Sequence, residues 1–232
     1  MSTEQFYLQP RLKSGLRTAI QIIIPVLLIL GTIRVILVTA KTWIPYEYRL
    51  SGFPEDFYGF STEDRIFWSA VDLDFLLSDA EIDYFDSFEL DSGEPMHNER
   101  ELRHMVDVKV IVLATKRVLQ WGLVVLVGLL AFATWSQGYE YAILAIKNGA
   151  LWTLILIGVL ILGVVFAFGF VFVGFHKIFF EGGTWTFRYT DTFIRLYPER
   201  FWRDIFFYVG GLTTLQAGVL FGLVKWASRR RG

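Results

Sequence analysis

The stretch FHKIFFEGGTW, residues 175–185, decides how the rest of the chain is read. It closes an apolar run, Leu151 to Phe175, that is long enough to cross a bilayer. His176 stands where that run stops being apolar, and Gly182 and Gly183 then break the helix. The chain has 3 histidines, so one of them at the mouth of a membrane span is informative. The remaining sequence can be read as a way of raising a second histidine, His104, to the same level.

Composition supports a membrane protein. Of 232 residues, 54% are hydrophobic, and the mean hydropathy is +0.45. The apolar residues are gathered into blocks, Ala19–Ala40, Val118–Trp135, Leu151–Phe175 and Ile205–Trp226. Each approaches or exceeds the ~20 residues needed to span hydrocarbon. The first block follows Arg11, Lys13 and Arg17, but it is longer than a signal-peptide core and carries Arg34. It reads as a retained first span. The absence of cysteine excludes disulfides and thiolate metal sites, and nothing in the charge pattern points to nucleic acid.

Basic residues near the span ends set the orientation. Arg11, Lys13 and Arg17 at one end, and Lys225, Arg229, Arg230 and Arg231 at the other, place both termini in the cytoplasm. The expected division is a cytoplasmic N-terminus 1–17, a first span 18–42, and an extracytoplasmic cap 43–97. An outer helix continuing into the second span covers 98–135, followed by a cytoplasmic loop 136–148 and a third span 149–180. An outer loop 181–203 joins the cap, then come a fourth span 204–227 and a cytoplasmic C-terminus 228–232. The expected fold class is a mainly α membrane protein, a four-helix bundle with a small sheet-containing extracytoplasmic cap.

The acidic outer segment reads as folded. Thr42–Leu50 alternates like a strand, and Ser61-Thr-Glu-Asp64 fits a capping box opening a helix to about Leu77. That helix carries a stripe of Ile66, Phe67, Ala70, Leu73 and Leu77. Tyr84–Leu90 reads as a second strand before the turn at residues 92–95, and Trp185, Phe187 and Tyr189 fall on one face of a third. Asn98 is a good N-cap, with Glu99 and Glu101 in the first turn behind it.

If the second and third spans form an antiparallel hairpin centred near Glu140, residues equidistant from that centre lie at one height. His104 and His176 do so to within a few ångströms, at ~1.5 Å per residue. Asp107, one turn from His104, could orient its imidazole. Arg34, ~25 Å of helix above Arg17, reaches the outer boundary, where it either snorkels or faces the interior and binds substrate. His97 sits in a polar turn, with no expected role. Two histidines are fewer than the three protein ligands usual for catalytic zinc, so neither metal nor cofactor is expected. No G-x-S-x-G elbow supports a serine nucleophile.

These residues carry a resemblance. The segment 99–109, ERELRHMVDVK, resembles an H-M-x-D-V-K signature, and FHKIFF at 175–180, Thr184-Trp185 and DTFIRLYP at 191–198 resemble a second one. Both are similar to the bacterial lipoprotein intramolecular transacylase (Lit) family of integral membrane proteins. The resemblance implies an acyltransferase of lipoprotein biosynthesis in the bacterial cell membrane. It would move the sn-2 acyl chain of a diacylglyceryl-cysteine lipoprotein onto that cysteine's α-amine, giving a lyso-lipoprotein. The family's two essential histidines fall on His104 and His176; Asp107, Arg34, Trp185 and Arg195 are the candidate supporting or substrate-binding residues beside them. The implied partners are the lipoprotein and membrane lipid, and the active site lies at the extracytoplasmic interface. Which histidine is base and which is acid or electrophile stays open. The competing readings are a non-enzymatic membrane sensor or assembly subunit, and an acyltransferase or lipase acting on free phospholipid.

Overall fold

The computed structural model describes residues 8–229, so the outermost parts of the expected cytoplasmic termini, 1–7 and 230–232, lie outside the described residues. Four long helices dominate: α1 Pro10–Val38, α4 Glu99–Gln137, α5 Tyr139–Phe179 and α7 Glu199–Arg229. All four are long and apolar enough to cross a membrane. Between them lie the short helices α2 Ala40–Glu47, α3 Thr62–Leu77 and α6 Thr192–Leu196, with a 3-10 turn at Ile82–Ser87. The chain divides into two compact units.

The first unit comprises residues 8–34, 116–162 and 208–229 among those described. Its core joins Leu16, Ile20 and Ile24 of α1 with Ala133 of α4 and Tyr141, Ala142 and Ala145 of α5. Small residues set the helix spacing. A Cβ on Gly149 would lie 2.9 Å from the Ile24 Cβ, so only glycine permits this approach. In hydrocarbon every polar group needs an internal partner. Thr213 accordingly donates to the Thr32 hydroxyl (3.0 Å), which donates to the Leu28 carbonyl (2.9 Å). Lys13 and Tyr141 meet where the Tyr141 hydroxyl donates to the Lys13 carbonyl, with the Arg17 guanidinium over the ring at 4.9 Å. The expected loop 136–148 is helical except at Gly138, whose φ of +87° makes a one-residue turn between α4 and α5.

The second unit comprises residues 35–115 and 163–207. Here α5 is interrupted at Ala167 (φ −149°, ψ 44°), between Gly163 and Gly169, which are weak helix formers. Phe166 and Phe170, on either side of the break, are 82% and 83% exposed, as residues facing lipid would be. Two apolar cores hold the short elements. One joins Phe75, Phe85, Met96 and Met105 to Phe193 and Leu196, and the other joins Ala40, Ile44 and Tyr48 to Leu73 and Phe201. The Ser61 capping box is present in both directions, and α3 ends at Leu77 as the sequence indicates.

The sheet-containing cap is corrected: no strand occurs among the described residues, only an isolated bridge between Glu89 and Pro95. Thr42–Leu50 is mostly helical because the residues it buries, Ile44, Glu47 and Tyr48, together with Ala40 just before it, recur at three- and four-residue intervals, which is helical spacing. Tyr84, Phe85 and Phe88 turn tightly instead of extending, because all three rings join one aromatic cluster with Phe75. Residues 185–189 are irregular, and Tyr189 is exposed. Helix α3 is also rotated from the expected stripe. Leu73 is buried, but Phe67 and Leu77 are exposed, while Arg65, Ser69 and Asp72 face inward.

Candidate active site

The two histidines meet within the second unit. His104, in the second turn of α4, and His176, in the last turn of α5, have ring centroids 6.3 Å apart and are stacked with 23° between their planes. Each residue is only 8% exposed. His104 near the start of α4 and His176 near the end of α5 thus come to one level within this unit. Gly183, with φ +91°, then turns the chain back over the pair.

The walls are aromatic. Phe180 (4.8 Å), Phe187 (5.4 Å) and Phe193 (5.9 Å) surround the His104 ring. Phe172 (4.1 Å) and Trp185 (4.9 Å) flank His176. His176 Nδ1 lies 2.7 Å from the Phe172 carbonyl oxygen. A carbonyl only accepts, so Nδ1 carries the hydrogen and the neutral ring keeps its lone pair on Nε2. His104 Nδ1 and the Trp185 indole Nε1 are buried without a hydrogen-bond partner among the described residues. Buried polar groups are rarely left so, and here one belongs to the histidine pair itself and the other flanks it.

The other expected site residues are placed differently. Asp107 is half-buried one turn along α4 but does not bond the His104 ring, whose Nδ1 has no partner. Arg195 is engaged in the cap, with Nε 3.0 Å from Asp56 and its guanidinium 3.4 Å over the Phe60 ring. Arg34 is half-buried in α1 and belongs to the first unit.

Sequence reasoning missed a second polar centre. His97, expected in an open polar turn, is 3% exposed, with Nε2 2.8 Å from Asp72 Oδ1 and Nδ1 3.9 Å from Glu101 Oε2. The Tyr197 hydroxyl donates to Asp72 Oδ2 at 2.8 Å. Asp72 and Glu101 are each 1% exposed. Burial pulls the His97 pKa down, but the Asp72 and Glu101 carboxylates outweigh it together and raise it to about 9. Only the i, i+4 spacing of His97 and Glu101 hinted at this arrangement.

Four membrane-length helices and a buried histidine pair under an aromatic canopy define a multi-pass integral membrane protein with an enclosed histidine site. The family model described as lipoprotein intramolecular transacylase Lit matches residues 18–202. The chain belongs to that family. It is similar to a solved structure of the membrane integral lipoprotein intramolecular transacylase Lit from Bacillus cereus, with a TM-score of 0.72 and 18% identity. That match covers 96% of this chain and 99% of the other, and it bears on the fold. A protein of Aquifex aeolicus (strain VF5), described as uncharacterized, is 29% identical over 78% of this chain and 83% of its own length.

Proposed function

We propose that the protein is a lipoprotein intramolecular transacylase that moves the sn-2 acyl chain of a diacylglyceryl-cysteine lipoprotein onto the α-amine of the same cysteine. The observation that carries this reading is the pairing of His104 and His176 at 6.3 Å, at the ends of apolar helices, in a chain of the Lit family.

The chemistry assigns distinct work to the two rings. With Nδ1–H held by the Phe172 carbonyl, His176 offers Nε2 as the base. The cysteine α-amine enters as the free base, and Nε2 takes one proton from it as the nitrogen bonds to the sn-2 ester carbon. The oxyanion that forms is met by hydrogen bonds from His104 and from the unpartnered Trp185 N–H. When the intermediate collapses, the carbon–oxygen bond to glycerol breaks, and the glycerol alkoxide receives the proton back. Amine and ester belong to one molecule, so holding them together supplies much of the rate. A cavity of about 470 Å³ lined by Asn98, Glu99, Arg100, Arg103, Gly183 and Thr184 includes residues of both signatures. Both termini lie in the cytoplasm and the site at the extracytoplasmic interface, on the strength of the basic chain ends.

Mass spectrometry of lipoprotein N-termini from cells expressing the chain tests this. One acyl group on the cysteine amine and one on the glycerol are expected. Unchanged diacylglyceryl-cysteine with a free amine, despite confirmed expression, would favour the sensor reading, and released fatty acid or lysophospholipid would favour the phospholipid one.

A further inference from the structure

We propose that the buried Asp72–His97–Glu101 cluster is a positioning device for the reaction, fixing Phe193 against the His104 ring and so holding His104 in register with His176. The proposal rests on the reading that His104 acts on the substrate.

The cluster is an unusual thing to bury. Two carboxylates and an imidazole, all at least 97% shielded, give up their hydration. Buried ion clusters of this kind seldom add net stability over well-packed apolar residues. What the cluster does provide is a fixed geometry, and its bonds run toward the active site. Glu101 lies one helical turn before His104 on α4. Its Oε1 accepts the Phe193 N–H at 2.7 Å and its Oε2 accepts the Asn98 N–H at 2.9 Å. The Phe193 ring then sits between the histidines, 4.7 Å from His97 and 5.9 Å from His104. The far end of α6 is held by the same cluster, through the Tyr197 hydroxyl on Asp72, and by the Tyr48 hydroxyl on the Leu196 carbonyl at 3.0 Å. Removing the cluster therefore frees one wall of the His104 pocket without touching a reacting atom.

The titratable and charged groups facing His97 are Asp72 from α3 and Glu101 from α4, with the Phe85 and Phe193 rings closing the remaining sides. His97 is cationic at neutral pH because its pKa is raised to about 9. A group raised above its ordinary value of ~6.5 contributes fully below that value and loses its contribution as pH climbs through the folded value. The hold on Phe193 should therefore slacken as pH rises through about 9.

The test removes two of the cluster's three charges at once, with Asp72→Asn and His97→Gln together in the full-length protein in proteoliposomes, leaving Glu101 without its cationic partner. Hydrogen exchange of residues 192–197, corrected for intrinsic rates, is followed from pH 7 to 10, and lyso-lipoprotein formation is measured in parallel. The parent is expected to lose protection in this segment as pH passes about 9, while the variant is poorly protected at every pH and shows no step. The variant's kcat should fall on the order of 100-fold with KM changed less than threefold, the signature of a misplaced catalytic group. Phe193→Leu leaves the ion cluster in place and should lower kcat while keeping the cluster's own pH step. It carries the kinetic expectation if the double variant is not recovered. Unchanged protection and pH response at 192–197 in the double variant, or a kcat within threefold of the parent in either variant, would overturn the proposal. A parent that makes no lyso-lipoprotein would instead sink the transacylase reading, and the exchange arm would still decide whether the cluster holds α6.

Discussion

Replacing His176 by Asn separates its two jobs. The Asn side-chain amide can occupy the position of Nδ1 and keep a donor for the Phe172 carbonyl, a bond of 2.7 Å in the parent. That preserves roughly 1 kcal/mol of orientation and packing while removing the basic Nε2. If Nε2 is the proton acceptor, the rate of lyso-lipoprotein formation should fall ~10²–10⁴-fold, a rise of about 3–5 kcal/mol in the barrier. His176→Ala should fall as far and lose the helix-end bond as well. His104→Ala should be similarly impaired. Because the rings lie 6.3 Å apart, inside the ~7–10 Å beyond which substitutions add independently, the double change should cost little more than either single change. The assay is mass-spectrometric product formation in proteoliposomes, normalised to inserted protein. More than about a tenth of parental activity in His176→Asn would refute proton transfer by His176 as an essential step, and full additivity would refute a shared site.

Three smaller outcomes are expected from the same geometry. Trp185→Phe keeps a ring against His176 but removes the unpartnered N–H, so kcat should drop ~10²-fold, as for an oxyanion donor, with KM little changed. Asp107→Asn should stay within about threefold of the parent, since Asp107 does not bond His104; a loss as large as that of His104→Ala would restore it as the orienting group. Cysteines at exposed Ser87 and at Ser228 should label from outside and inside the cell respectively, and labelling of Ser228→Cys by an impermeant reagent in intact cells would invert the topology.

The spans and the histidine pair were legible because both follow from regular geometry. Apolar length reports a bilayer crossing, and helical rise converts sequence separation into height. The cap was legible only in its Ser61 capping box and the end of α3. Its alternating aromatic stretches imitate strands, yet Ile44, Tyr48, Phe75 and Phe85 are buried by packing between elements distant in sequence, which local alternation does not encode. Arg65, Ser69 and Asp72 look like the polar side of an amphipathic helix, and they face inward only because partners from elsewhere meet them: the Pro54 carbonyl, Tyr48, His97 and Tyr197. His97 escaped notice for the same reason, its main partner Asp72 lying 25 residues away. Arg195 carries a signature position but spends its charge on Asp56.

The central claim is that acyl donor and amine acceptor belong to one lipoprotein molecule, with the sn-2 chain as the one transferred. A crossover experiment reads this directly. Two synthetic diacylglyceryl-cysteine lipopeptides, one light and one carrying both a deuterated sn-2 chain and an isotopically heavy peptide, are mixed in proteoliposomes with the purified protein. Every N-acylated product should carry label in both chain and peptide, or in neither. Products pairing a deuterated amide with a light peptide, or amides bearing the sn-1 chain, would contradict the account.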